Sequence, residues 1–124
     1  MHAPTAIVVD DQPSSYEAVR GVLEDAGFQI VGAAASLTDG MDLLRHHRPD
    51  VAVLDLAVEG LAALHALHDA APECALLVLT RQLDHTEAFV LAGARAAIGP
   101  RDVRQLDAAV RNVRVRLEQS AARV

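Results

Sequence analysis

Three aspartates stand where short apolar runs end, and together their side chains could hold a metal ion. Asp10 and Asp11 follow the run at 6–9, and Asp55 follows the run at 51–54. Such runs between helical patterns predict buried parallel strands, whose carboxyl ends border the ligand crevice of the sheet. Clustered carboxylates repel one another unless a cation lies among them, and Mg²⁺ prefers carboxylate oxygens. The spacing therefore predicts a magnesium site.

The apolar patterns around these aspartates predict a chain that alternates strands and helices. Strands are predicted at about 5–10, 28–35, 51–55, 75–80 and 96–98. A helix is predicted after each strand: from Ser14 to Ala26, from Ser36 or Thr38 to before Pro49, from Leu61 to near Pro72, over 84–92, and from Asp102 to about 118. The first helix is expected to open with the capping box Ser14-x-x-Glu17.

Five strand–helix units with short joints predict one parallel sheet with right-handed crossovers and helices on both faces. A dinucleotide-binding order would need a G-x-G-x-x-G turn after the first strand, but residues 10–14 are Asp-Asp-Gln-Pro-Ser. The flavodoxin-like order 2-1-3-4-5 places strands one and three side by side and so brings the three aspartates together. We therefore expect an α/β, flavodoxin-like, doubly wound five-stranded sheet, with residues 1–124 as one domain.

Composition excludes several classes of protein. The 124 residues carry a net charge of −6, which argues against nucleic acid as the main partner. No apolar run approaches a membrane span, and no signal peptide is evident. Cys74 is the single cysteine, so a small core residue in a reducing cytoplasm is expected. The chain contains no lysine, and every strong cation is an arginine.

Four segments, in order along nearly the whole chain, resemble the receiver domain of bacterial two-component response regulators. They are Val8-Val9-Asp10-Asp11, Arg-Pro-Asp-Val-Ala-Val-Leu-Asp-Leu at 48–56, Leu79-Thr80 and Ala92-Gly93-Ala94-Arg95. The resemblance implies a cytoplasmic signalling module that a histidine kinase phosphorylates, with a partner surface near the last two helices. It also implies a homodimer through the last helix as one arrangement, and DNA binding only through a domain outside these residues.

The resemblance also implies roles for individual residues. Asp55 would accept the phosphoryl group, and the Thr80 hydroxyl would bond a phosphoryl oxygen. Asp11 and Asp55 would ligate Mg²⁺ directly, with Asp10 acting through water and the Ala57 carbonyl as a further ligand. These residue types suit the chemistry, because phosphoryl transfer needs an in-line nucleophile, a metal and donors for the equatorial oxygens. A carboxylate is already ionised at neutral pH and needs no base.

The sequence departs from the family pattern at the cation that would bind the phosphoryl group. The family's strand-five lysine is absent, and Pro100 or Gly99 takes its place. Arg101 is the nearest cation and a candidate substitute, although arginine differs from lysine in reach and shape. Arg81, directly after Thr80, could supply the charge instead or obstruct the mouth of the site.

Three further departures concern the loops and the read-out of phosphorylation. The loop between Asp55 and Gly60 is short, and so is the segment from Thr80 to Gly93. Ala97 stands where the family usually has tyrosine or phenylalanine. The sequence therefore leaves two receivers open: one phosphorylated at Asp55, and a degenerate one that works with little or no phosphorylation.

Other features leave alternatives open. The last helix carries a stripe that either packs on the sheet or extends into a dimer seam: Val103, Leu106, Val110, Val113 and Leu117. His65 and His68 have a spacing compatible with metal ligation, but surface histidines explain it more simply. An enzyme is the alternative class, either an Asp-nucleophile phosphatase or a flavodoxin-like oxidoreductase. The first would need Asp-x-Asp after strand one, and the second would need aromatic residues for flavin stacking.

Overall fold

The computed structural model describes residues 3–55, 60–81 and 83–122, which form a parallel sheet between two layers of helices. The five strands are β1 Thr5–Val9, β2 Gln29–Ala34, β3 Val51–Asp55, β4 Ala75–Leu79 and β5 Ala96–Ile98. The helices are α1 Pro13–Asp25, α2 Leu37–His47, α3 Leu61–Ala70, α4 Thr86–Leu91 and α5 Val103–Ala122. A short 3₁₀ turn at Leu83–His85 precedes α4.

The strand order is β2-β1-β3-β4-β5, which confirms the predicted flavodoxin-like sheet. The predicted strand bounds are right to within one residue at either end. The last helix continues to Ala122, four residues beyond its predicted end. The region predicted as one helix at 84–92 is a 3₁₀ turn followed by the short α4.

Both faces of the sheet are buried, because alternate strand residues point into two separate cores. On β3, Val51 and Val53 pack into the core under α1 and α5, whereas Ala52 and Leu54 pack into the core under α2, α3 and α4. This explains why the central strands are continuous apolar runs rather than alternating ones. Polar side chains on these strands can therefore reach solvent only where a strand ends.

The stripe on α5 packs mainly against the sheet. Leu106, Val110 and Val113 are buried in the core beneath α1 and α5, and Leu117 packs against that core. Val103, the first member of the predicted stripe, is instead 51% exposed. Most of the stripe therefore belongs to the core, and Val103 is left on the surface at the start of the helix.

The two predicted helix caps have different outcomes. Ser36 caps α2, where its hydroxyl accepts a hydrogen bond from the Asp39 N–H at 3.2 Å. The capping box at Ser14 is wrong, because α1 begins at Pro13, with Gln12 as its N-cap residue and no side-chain cap bond. Proline favours the first helical position, since its fixed φ suits the helix and its missing N–H would be unpaired there anyway.

Candidate functional site

The sheet register brings the first and third strands together at their carboxyl ends. Val9 of β1 pairs with Leu54 of β3, so the next residues, Asp10 and Asp55, lie side by side at the edge of the sheet. Asp11 follows Asp10 in the loop that leads into α1. One carboxylate oxygen from each aspartate lies within 4.8 Å of the others. The structure thus brings the three predicted acidic side chains to one place.

The hydrogen bonding of Asp10 leaves one oxygen of its carboxylate without a partner. Oδ1 accepts a bond from the Gln12 N–H at 2.9 Å, which also orders the loop before α1. Oδ2 is buried, and no described protein group bonds to it. Since a buried polar atom without a partner costs free energy, this oxygen favours a ligand, either a cation or a water held by one.

The electrostatics of Asp55 point to the same conclusion. Burial, and next the negative charges of Asp10 and Asp11, raise the pKa of the Asp55 carboxyl above its ordinary value of 3.8, while Arg81 opposes the increase. The cluster therefore resists full ionisation by itself. A divalent cation would remove that repulsion, and three hard oxygen donors match the ligand preference of Mg²⁺.

The aspartates line an open cleft of about 690 Å³. Three residues that follow β4 and β5 line the same cleft: Arg81, Pro100 and Arg101. Thr80 lies between the end of β4 and Arg81, is only 1% exposed, and donates its N–H to the Ile98 carbonyl at 2.8 Å. Ala57, the predicted carbonyl ligand, lies outside the described residues.

Part of the cleft was not predicted from the sequence. Ser14 and Ser15 at the start of α1, and Ala35 and Leu37 after β2, also line it. These residues lie near the carboxyl ends of β1 and β2. The sequence could have indicated these residues, because they follow predicted strands and ligand crevices form outside the carboxyl ends of parallel strands.

Within the described parts of the chain, the histidine pair on α3 has no third ligand close enough to form a second metal centre. His65 lies 3.6 Å from Asp69, and both side chains are exposed. His68 lies elsewhere, where a Cβ on Gly93 would meet its ring. Among the described histidine, cysteine and acidic residues, the aspartates at 10, 11 and 55 are the only group of three close enough to share an ion.

Comparison with known proteins identifies the family. The response regulator receiver domain family matches residues 6–111. Response regulator Rre1 of Synechocystis sp. is 30% identical over 123 residues, which cover 93% of this chain and 53% of that protein. A protein-glutamate methylesterase/protein-glutamine glutaminase of Natronomonas pharaonis is 33% identical over 81 residues, covering 64% of this chain and 23% of that protein. The chain thus matches between about a quarter and a half of the length of these relatives.

The solved structures agree with the sequence relatives. The crystal structure of a response regulator from Thermotoga maritima has a TM-score of 0.78 and 26% identity, and the alignment covers 90% of this chain and 98% of that one. Neither this likeness nor the family match supports the phosphatase or oxidoreductase alternatives. No described helix combines the length and apolarity that crossing a membrane requires. The chain belongs to the response regulator receiver domain family, the signalling modules of two-component systems.

Proposed function

We propose that this receiver binds Mg²⁺ among Asp10, Asp11 and Asp55 and accepts a phosphoryl group on Asp55 from a histidine kinase. The observation that carries the proposal is the approach of the three carboxylates to within 4.8 Å at the mouth of an open cleft. The buried Oδ2 of Asp10, which has no protein partner among the described residues, supports a cation at this position. Receiver domains generally bind Mg²⁺ at such an acidic pocket.

In the proposed reaction, a carboxylate oxygen of Asp55 forms a bond to the phosphorus atom of the donor phosphohistidine. The P–N bond breaks, and its electron pair stays on the imidazole nitrogen. Bound Mg²⁺ would neutralise charge on the carboxylates and the phosphoryl oxygens. Asp11 and Asp55 would ligate it directly, Asp10 through a water molecule, and the Ala57 carbonyl would complete the protein ligands. The Thr80 hydroxyl would then donate a hydrogen bond to a phosphoryl oxygen.

The strong cations of this sequence are all arginines, so we propose an arginine as the group that binds the phosphoryl oxygens. Gly99 and Pro100 take the place of the lysine that the family pattern puts after the fifth strand. Arg101, the candidate proposed from sequence, and Arg81 both line the cleft.

A second candidate function is a receiver that signals by protein contact without stable phosphorylation. The absence of lysine and the deep burial of Thr80, at 1% exposure, favour it. In such a receiver the acidic cleft would still bind Mg²⁺, but no phosphoryl group would accumulate on Asp55.

For either candidate, we propose that signals leave through the surface of the last two helices. Large apolar side chains are exposed there: Val90 and Leu91 on α4 at 45% and 80%, and Val103 and Val115 on α5 at 51% and 48%. A homodimer through α5 and contact with a kinase are the partners we propose. DNA binding would require a domain outside these residues. We further propose that residues 1–124 form a single cytoplasmic receiver domain.

The experiment that tests the proposal is the melting temperature with Mg²⁺, with and without beryllofluoride, an analogue of the phosphoryl group. We expect Mg²⁺ to raise the melting temperature and beryllofluoride to raise it further, with the second increase absent in Asp55→Asn. A phosphoryl donor should also add the mass of one phosphoryl group to the wild type but not to the variant. A wild type that binds Mg²⁺ but gains neither stability from beryllofluoride nor mass from the donor would support the second candidate.

A further inference from the structure

We infer that Arg81, rather than Arg101, provides the positive charge that binds the phosphoryl group on Asp55. We further infer that Arg81 turns to the phosphoryl oxygens once Mg²⁺ has bound. The inference rests on the proposed function, since it assigns a residue to the transfer at the same site.

Charge balance shows why Mg²⁺ alone is insufficient. When Asp55 carries the phosphoryl group, its own carboxylate charge is lost, and Asp10 and Asp11 retain one negative charge each. A phosphoryl group adds about 1.5 to 2 negative charges at neutral pH. Mg²⁺ supplies two positive charges, so about two negative charges remain, and a nearby protein cation would reduce them.

The sheet register places the strand that leads to Arg81 directly beside the strand of Asp55. Asp55 pairs with Leu79 across the neighbouring strands β3 and β4, and Arg81 lies two residues beyond Leu79. Adjacent strands are about 4.8 Å apart, so the main chain leading to Arg81 runs one strand spacing from that of Asp55.

The main chain is also held in place just before Arg81. Thr80 is buried, and its N–H donates to the Ile98 carbonyl at 2.8 Å, which fixes the end of β4 against β5. Arg81 is the first exposed residue after this anchor, and it lines the cleft together with the aspartates.

Arg101 starts from a more distant position. It follows β5, which is separated from β3 by the whole of β4, or about 9.6 Å at the usual strand spacing. The main chain turns towards α5 at this point, with the Asp102 N–H bonded to the Gly99 carbonyl at 3.0 Å. Arg101 lines the cleft but belongs to the segment that enters α5.

The electrostatics separate the two arginines in the same way. Arg81 is the cation that lowers the pKa of the Asp55 carboxyl, against the effects of burial and of the neighbouring aspartates. Among the described residues, neither Arg81 nor Arg101 forms an ion pair, so this observation leaves both guanidinium groups available. A guanidinium can also bond two phosphoryl oxygens at once, which suits it to this group.

Because the charge of Arg81 acts on Asp55, which is also a proposed Mg²⁺ ligand, removing Arg81 should have opposite effects on two ligands. Mg²⁺ should bind Arg81→Gln about twofold to fivefold more tightly, the range expected for losing the repulsion of one partly screened charge. Beryllofluoride, which mimics the phosphoryl group, should bind at least about tenfold more weakly, since a charged hydrogen-bond donor is lost. Loss of a residue with only a structural role would not strengthen the binding of Mg²⁺ while weakening the binding of beryllofluoride.

The test compares Arg81→Gln with Arg101→Gln, a matched control that removes the same charge from another residue of the same cleft. Mg²⁺ titrations and beryllofluoride titrations at saturating Mg²⁺ would both be followed by melting temperature. We expect Arg101→Gln to keep the beryllofluoride response and to change the Mg²⁺ titration less than Arg81→Gln does. Arg81→Lys, which keeps the charge, should recover part of the beryllofluoride response.

Each outcome decides the inference. If Arg101→Gln loses the beryllofluoride response while Arg81→Gln keeps it, the cation is Arg101 and the inference is wrong. If both variants respond as the wild type does, neither arginine has the role and the inference is also wrong, although phosphorylation at Asp55 stands. If the wild type itself shows no response to beryllofluoride, the proposed phosphorylation fails and the inference fails with it.

Discussion

The two ends of the same sheet hold their aspartates in opposite ways. At the amino ends of the strands, Asp50 accepts a hydrogen bond from the Thr5 N–H at 2.7 Å, and its own N–H donates to the Thr5 carbonyl at 2.9 Å. The Asp50 carbonyl also accepts a bond from the Ala75 N–H at 3.0 Å. At the carboxyl ends, Asp10 keeps a buried oxygen without a described protein partner, beside Asp11 and Asp55.

This difference indicates that Asp50 stabilises the fold, whereas the three aspartates at the carboxyl ends are suited to binding a ligand. Asp50 joins β1, β3 and β4 through its side chain and main chain, so the protein itself satisfies it. The three aspartates at the other end concentrate negative charge with little protein compensation, a state that costs stability unless a cation is bound. Hydrogen bonding therefore distinguishes the roles of residues of one type within one sheet.

The largest expected effect is stabilisation by Mg²⁺ at the carboxyl end. At a Mg²⁺ concentration one hundred times its dissociation constant, the free energy of unfolding should rise by about 2.7 kcal/mol. Asp11→Asn should lose most of this increase, because it removes a proposed direct ligand. Urea denaturation with and without Mg²⁺ measures the change. An Asp11→Asn protein that gains as much stability as the wild type would place the ion elsewhere.

The next largest expected effect is a loss of stability when Asp50, at the amino ends of the strands, is replaced. Asp50→Ala should lower the free energy of unfolding by about 1–3 kcal/mol, because the half-buried Thr5 N–H loses its charged acceptor. The increase on adding Mg²⁺ should stay as in the wild type. Asp42→Ala, an exposed position on α2, is the matched control and should change stability by less than about 0.5 kcal/mol. A weakened Mg²⁺ response in Asp50→Ala would mean that the two ends are not independent.

A smaller effect is expected from the pKa of Asp55 in the absence of metal. Its pKa is raised in the folded protein, so the charged form opposes folding. Relative to Asp55→Asn, the wild type should be most stable below pH 3.8, the ordinary value, and should lose stability as pH rises through the folded pKa. Solvent screens this exposed group, so the difference at neutral pH should be a few tenths of a kcal/mol, about the size of a surface charge effect. Melting curves in EDTA across this range test it, and a wild type that gains stability over Asp55→Asn with rising pH would contradict the raised pKa.

The smallest effect is the inertness of Cys74, at the amino end of β4. Burial, together with the charge of Asp50, raises the pKa of this thiol to about 12, and the side chain is 6% exposed. At pH 8 almost no thiolate is present, so iodoacetamide should label the folded protein only over the time in which it unfolds. Mass spectrometry would follow the labelling, with the urea-unfolded protein as the control. Rapid labelling under native conditions would show that this end of the sheet opens locally.

Sequence patterns predicted the sheet because its strands are buried on both sides. Such strands appear as continuous apolar runs, and the residues that end them, such as Asp10 and Asp55, are visible without a structure. The order 2-1-3-4-5 and the meeting of the acidic residues followed from those ends. The start of α1 was misplaced because Ser14 fits a capping pattern, whereas Pro13 favours the first position of the helix.

The features that the sequence could not predict depend on pairing between distant segments. The bond between Thr5 and Asp50 joins residues 45 positions apart and exists only because β1 and β3 are neighbours in this register. The choice between Arg81 and Arg101 also depends on register, because the predicted strand order does not say which residue of β4 pairs with Asp55. The exposure of Val103 likewise depends on where α5 first meets the sheet.

The helix α5 is bonded to the end of α1 through a single arginine. Arg114 donates a hydrogen bond to the Ala26 carbonyl, and its guanidinium fills the space that a side chain on residue 27 would need. Gly27 also has a φ of 89°, so a larger residue there would be strained as well as crowded. A shift of α5 along its axis would either break this bond or move the end of α1 with it, and α1 begins at the acidic cleft.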